Sequence, residues 1–490
     1  MNIAHPRSRL QSLRDLVLEA GAADGGLRRR PGRLTDWLNR IEEAVLEPRA
    51  FTAVLKLSPG AEPLEQVRAL SEDTSLLQAA GVLGLRVSLR EDALLFSCVH
   101  EGEREDVLYE LFESHAGALD PVLSQCQDYP GLGLTDACVR MLLEAAVERR
   151  PPAHHLQRQG NVRLPGMHSF ERAIPDEAYW IGRCARLQRA ASRRATREAR
   201  RRDPSAIAHR GIHAKHHGLV RARFIVHDGL LPELAQGVFQ PGQGYDAWLR
   251  VSNMSKDIKP DRKPDARGLA IKLEGVAGIE SQDFLLASHP VFIVKDVRDY
   301  AVFQSLVKEP ASRANKLRKA LFLGRRLREF RIIRQALKLV PDHPLSIAYH
   351  SMSAYALGHV RAVKYLVRPV PPVPQGVQVG TDDDLRISLQ RSLESAGMRL
   401  EFCLVLPAAG RTLSVEDACA DWTAHSEVVP VATIEIEAQN PCSPERLQHA
   451  EQIVFGLENS LPVHEPLGSL SRARKAVYRE SAGFRAVANR

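Results

Sequence analysis

Beyond residue 205 the chain becomes a succession of strand-like runs, and this change of texture limits its fold more than any other feature. RARFIVHD (221–228), YDAWLRVSN (245–253), RGLAIKLEG (267–275), RAVKYLVRPV (361–370), RLEFCLVL (399–406) and PVATIEIEA (430–438) are rich in β-branched and aromatic residues. Gly237, Gly242, Gly244 and Gly268 punctuate them. Many strands with turn signals, followed by helices, predict a barrel or sandwich with helical additions.

The first part of the chain reads differently. Residues 1–50 predict two helical segments broken by GAADGG and PGR, with Leu10, Leu13, Val17 and Leu38, Ile41, Val45 at helical spacing. From residue 51 to 123 the order is strand (FTAVLKLS), helix (PLEQVRALSED), two strands (VLGLRVSL, DALLFSCV) and helix (EDVLYELFESHAGALDPVL). This β-α-β-β-α order opens a ferredoxin-like unit. No ligand constellation stands out in it, so scaffolding or interaction is its expected role. A helix and then a linker follow, and ERRPPAHHLQRQGNVRLPG marks the boundary. The expected organisation is thus 1–150, a helical lead-in plus ferredoxin-like α+β domain; 151–204, a linker and basic helical arm; and 205–490, the β-rich domain.

Composition excludes several classes. With 44% apolar and 26% charged residues the chain is an ordinary globular one. No apolar N-terminal leader and no apolar window of membrane-spanning length is present, which predicts a cytoplasmic protein. The seven cysteines form no C-x-x-C pair and read as reduced core thiols. Two basic stretches account for much of the +8 net charge. IGRCARLQRAASRRATREARRR (181–202) has no aromatic for base stacking, so a solvated basic arm is expected there and no specific nucleic-acid partner. Residues 313–340 carry ten Lys or Arg beside a row of Leu, Ile and Phe. A core-packed helix with a basic outer face is expected; peripheral contact with an anionic membrane is the lesser reading.

The candidate chemistry centres on AHRGIHAKHHG (208–218). Three histidines within five positions are compatible with a metal site, a nucleic-acid contact or neither. His213 and His217 have H-x-x-x-H spacing, but Ala214 stands where zinc hydrolases carry the glutamate base, which weighs against a metal hydrolase built on His209, His213, His216 and His217. Five further blocks follow in order: WLRVSN, DARGLAIKLEG, QDFLLASHPVFIVKD, ADWTAHSEVVPVATIEIEAQN and RKAVYRESAGFR.

Together the six blocks resemble the haem-binding core of the catalase superfamily over about residues 205–490, with a closer likeness to small bacterial catalase-like proteins. RGIHAKHHG is similar to the family's R-V-V-H-A-K/R-G, and RKAVYRESAGFR carries its R-x-x-x-Y-x6-R signature. The resemblance implies an α+β protein whose second domain is a catalase-like antiparallel β-barrel binding haem, of the b type. It implies that His213 is the distal acid–base residue with Ser252 behind it, and that Tyr478 is the axial iron ligand with Arg474 against its oxygen. Arg210 and Arg250 fall on propionate-binding positions, Arg485 approaches the haem, and Phe292 and Tyr300 fall on aromatic positions near it. The sequence departs from the family at Ala287, where a distal asparagine is expected, with Ser288 as the nearest substitute, and at His216 and His217.

These residue types suit peroxide cleavage. A neutral histidine can remove a proton from one peroxide oxygen and deliver it to the other. A tyrosinate is an electron-rich iron ligand, and an arginine one helical turn away favours the anion. The expected function is haem-dependent processing of hydrogen peroxide or an organic hydroperoxide, with weak catalase turnover because the distal amide is missing. The competing expectation is a haem-binding or sensory protein without fast catalysis. A homo-oligomer is compatible with either.

Overall fold

The computed structural model describes residues 49–62, 64–72, 82–100, 104–131, 134–149, 167–168, 171–174, 177–308, 322, 326–377, 379–408 and 413–489. The expected lead-in helices, most of the 151–180 linker and the first half of the 313–340 stretch lie outside these residues. The described residues fall into two compact units, one within 1–158 and 305–325, the other within 159–304 and 326–490.

In the first unit β1 (Arg49–Lys56), α1 (Leu64–Glu72), β2 (Val82–Arg90), β3 (Ala93–His100), α2 (Arg104–Leu123), α3 (Thr135–Ala145) and β4 (Ala146–Arg149) follow one another. The sheet order is β2-β3-β1-β4, with every pair antiparallel. That is the ferredoxin-like arrangement the sequence predicts. Its period-2 pattern is plain: Leu94, Phe96, Cys98 and His100 are buried on one face of β3 and alternate with half-buried neighbours. The last strand is a finding of the structure. AVER lies in a stretch that reads as helix and linker, and only pairing of Ala50–Ala53 with Arg149–Ala146 makes it a strand.

The second unit opens with α4 (Glu177–Arg202) and continues with β5 (His216–Val226), β6 (Gly244–Asn253), β7 (Arg267–Glu274), β8 (Ser281–Ala287), α5 (Val297–Lys308), α6 (Leu327–Ala336), β9 (Tyr349–His350), β10 (Tyr355–Leu357), β11 (Arg361–Pro369), α7 (Asp384–Ser395), β12 (Met398–Pro407), β13 (Ser426–Ile436), α8 (Pro444–Gln452) and α9 (Ser469–Ala488). The strands run β11-β12-β13-β5-β6-β7-β8-β9, and β9 pairs back onto β11, so eight antiparallel strands close into a barrel with β10 added beside β11. Closure leaves no unpaired edge in the ring.

Alternating inward residues fill the barrel. Phe224, Phe284, Tyr365 and Phe402 meet at ring-centroid distances of 4.8–6.3 Å, and each is at most 1% exposed. Burying each ring contributes about 1.5–3 kcal/mol. Pro430 has no N–H for the ladder, and the β12–β13 register slips opposite it, between Phe402 and Cys403. Strand β8 overlaps the QDFLLASHPVFIVKD block and carries no strand pattern of its own. All seven of its residues are buried, so it lacks the alternation that marks a half-exposed strand.

The basic run 181–202 is helical, but it is not the solvated arm expected from its charge. Trp180, Arg183, Cys184, Gln188, Ser192, Arg193 and Thr196 are buried along one face of α4. Arg189 makes a two-pronged pair with Glu480 of α9, at 2.6 and 2.8 Å. Charge alone hid this, because the partner carboxylate lies 291 positions away. No described helix is long and apolar enough to cross a membrane.

Candidate functional site

The residue on which the sequence reading centred, His213, has a left-handed backbone, φ 59°. For a non-glycine residue this costs about 1–2 kcal/mol, and here it turns the chain just before β5. Its amide N–H donates to Met254 O at 3.2 Å, and its Nδ1 lies 3.0 Å from Ser252 Oγ. The ring rests on Gly268: a Cβ there would come within 2.4 Å of His213 Cε1 and 2.6 Å of Nδ1. Glycine at 268 is what admits the ring. Burial, then the charges of Arg250 and Arg210, push the imidazole down to about 3, so it is neutral at physiological pH.

Arg250 and Ser252 are two apart on β6 and therefore share a face. Arg250 donates from Nε to Ala450 O (3.0 Å) and from one terminal nitrogen to His213 O (3.2 Å). Arg210 donates to Ile453 O (2.5 Å) and Glu451 O (3.2 Å), and Arg485 to Glu451 O (3.1 Å). All three guanidinium groups thus gather on the carbonyls at the C-terminal end of α8, the negative end of its dipole. Arg485 keeps one buried donor, Nε, with no hydrogen-bond partner among the described residues.

Arg474, Tyr478 and Arg485 recur at near-helical spacing and lie on one side of α9. Arg474 is 2% exposed. It donates to Ser353 Oγ at 3.2 Å, and its guanidinium carbon lies 5.4 Å from the Phe292 ring centre and 5.8 Å from that of Tyr478. Phe292 meets Tyr300 edge-on at 5.6 Å. Burial works against the charge of Arg474, but Tyr478 and Tyr355 outweigh it and hold the guanidinium above its ordinary value. Burial pushes the Tyr355 phenol up to about 12 and raises Tyr300 as well. The charge of Arg474 is also felt at His213, so the two clusters adjoin.

The three clustered histidines separate in space. His213 faces Ser252, His216 Nε2 lies 3.2 Å from Glu451 Oε1, and His217 Nε2 donates to Asn253 Oδ1 at 2.8 Å. The β5–β6 register slips between His216 and Gly218, and this bulge turns His217 into the fully buried interior. They do not converge on one point.

At the substituted position, Ala287 is 1% exposed and sits between Gly268 and His350 in the ladder. Ser288 Oγ accepts a hydrogen bond from Arg267 N–H at 2.9 Å, so its hydroxyl is tied to the start of β7. Sequence reasoning missed Glu451 and Ser353. Glu451 did leave a trace, because an acid in the last turn of a helix opposes the dipole and needs a compensating reason.

No protein-family model matches the chain, and no curated protein matches it. Solved structures similar to it include a fungal catalase (TM-score 0.48, 17% identity, covering 59% of this chain and 61% of that one) and a bacterial catalase (TM-score 0.47, 17% identity, 60% and 60%). The chain thus spans about three fifths of the length of these catalases.

Proposed function

We propose that the barrel unit binds haem and processes peroxides, with hydrogen peroxide or an organic hydroperoxide as substrate and with slow catalase turnover. The observation that carries this reading is Arg474: a buried cation packed on the Tyr478 ring, whose field reaches a neutral His213. That pairing supports reading Tyr478 as a ligand residue and His213 as an acid–base group of one site.

The residues fit haem. Arg210, Arg250 and Arg485 offer guanidinium donors for its propionates, one of them, Arg485 Nε, otherwise unpartnered among the described residues. Tyr478 would hold the iron through its phenolic oxygen, with Arg474 as counter-charge. Phe292 and Tyr300 supply aromatic surface beside Arg474. Haem bound there supplies the redox-active iron at which a peroxide O–O bond breaks.

His213 does the proton work. Being neutral, it takes the proton from one peroxide oxygen and gives it to the other, which leaves as water or an alcohol. Ser252 fixes the ring through Nδ1, and Gly268 leaves it room. Ala287 offers no donor where the family has an amide, and loss of such a donor costs about 10²–10³ in rate. The slow turnover follows from that.

The test is an absorption spectrum of the haem-loaded protein beside a Tyr478→Phe variant, with oxygen release from hydrogen peroxide measured on both. A Soret band in the wild type that shifts in the variant, with slow oxygen release, is the expected result. An identical spectrum in the variant removes Tyr478 as the ligand. Release near the diffusion limit overturns the slow-turnover reading.

A further inference from the structure

The arginine cradle already contains a carboxylate. Glu451 Oε2 lies 3.4 Å from Arg210 and 3.8 Å from His209 Nδ1, and Oε1 lies 3.2 Å from His216 Nε2. Glu451 sits in the last turn of α8, whose dipole repels it. What holds it there is the cluster of cations across from it. Burial opposes its charge, but the nearby imidazoles of His209 and His216 and the charge of Arg250 outweigh burial and keep the carboxyl well below the usual range.

We infer that Glu451 is a built-in competitor for the carboxylates of the ligand this cradle takes, and so sets how tightly that ligand is held; this rests on the haem reading above. Its side chain draws on Arg210, a guanidinium an incoming carboxylate needs. Its negative charge also repels that carboxylate across a partly buried, weakly screened space. Both effects have one sign. Removing the charge of Glu451 leaves Arg210, Arg250 and Arg485 less neutralised and admits an external carboxylate more readily. The residue is a determinant of affinity and of preference for acidic ligands, and it does not touch the reacting atoms.

The test is an equilibrium titration of the apo-protein, followed by absorbance, with two probes: haem, and haem dimethyl ester, which lacks the two negative charges. Glu451→Gln is compared with wild type and with Glu451→Asp, which keeps the charge but draws it back by one methylene. Glu451→Gln is expected to bind haem at least about tenfold more tightly while its affinity for the ester stays the same. Glu451→Asp falls between, and supplies the comparison alone if the glutamine variant does not fold. Equal or weaker haem binding by both variants, with normal binding by the wild type, overturns the inference and leaves the haem reading intact. Failure of the wild type to bind either probe overturns both.

Discussion

Two charge clusters, one around Arg210 and one around Lys215, begin within a few residues of one another in sequence and are built on opposite principles. The first is the arginine cradle: among the described residues Arg210, Arg250 and Arg485 face a single acid, Glu451, and otherwise only backbone carbonyls. The second lies behind β5. Lys215 pairs with Asp261 (2.8 Å) and Asp383 (2.9 Å), Lys259 with Asp265 (3.4 Å), and Arg267 donates to Asn253 Oδ1 (2.6 Å) and Asp261 O (3.1 Å). There the cations meet the acids Asp261, Asp265 and Asp383, and Asp261 Oδ2 also accepts the Leu385 amide at the start of α7. Carboxylates stand directly against the lysines of this cluster, which marks it as structural. The cradle is under-neutralised, and Arg210 is pushed down to about 8 by burial and then by Arg250 and Arg485. A guanidinium does not give up its proton in a protein, so an anion is what relieves such crowding.

The largest expected effect breaks the balanced cluster. Asp261→Ala removes the acid shared by Lys215, Asn253 and the α7 amide, leaving a buried ammonium short of a partner. Stability should fall by about 3–5 kcal/mol in chemical denaturation. A loss below about 1 kcal/mol would show that the two clusters do not differ as described.

The next effect is a pH dependence. Burial pushes His217 down to about 4 despite the opposing charge of Asp261, and burial likewise brings His343 and His464 to about 4. The last two accept backbone N–H bonds through ring nitrogens, from Leu345 at 3.1 Å and Val238 at 3.1 Å, which requires those nitrogens to be unprotonated. In the unfolded chain a histidine takes up its proton near about pH 6.5. Between that pH and about 4 the unfolded state therefore binds protons that the folded state does not, and stability rises with pH. It is complete above about pH 6.5 and is lost as pH falls toward 4, by about 1.4 kcal/mol per pH unit for each such histidine. Denaturation midpoints at pH 7, 6 and 5 measure it, and a flat profile would contradict the neutral assignments.

The smallest stability effect belongs to the cradle. Arg485→Gln removes one of three mutually repelling cations and should change apo-protein stability by no more than about 1 kcal/mol, while weakening haem binding about tenfold. Thermal unfolding with and without haem separates the two. A large destabilisation without ligand would place Arg485 in the structural class.

Much of the fold was legible because it rests on local pattern. The runs from 221–228 to 430–438 became β5, β6, β7, β11, β12 and β13, and the β-α-β-β-α order became the four-stranded sheet. What escaped were elements whose residues carry no pattern of their own. Strand β8 is buried on both faces, β9 has two residues, and β4 exists only because β1 is there to pair with it. At the candidate site, the ordered blocks pointed to His213, Arg474 and Tyr478 together. Nothing in them pointed to Glu451, because its role depends on three arginines 241, 201 and 34 positions away (451 − 210, 451 − 250 and 485 − 451).

The sequence by itself determined the strands and helices that carry their own periodicity and which residue types are available for acid–base chemistry, because periodicity and side-chain chemistry are local properties. Only the tertiary structure decided which charges are balanced. His213 and His217 stand four residues apart, yet one has a glycine-lined place beside Ser252 and the other is sealed on Asn253 by a one-residue bulge. Burial and neighbouring charge fix what each ionisable group does, and both are set by chain segments far away in sequence.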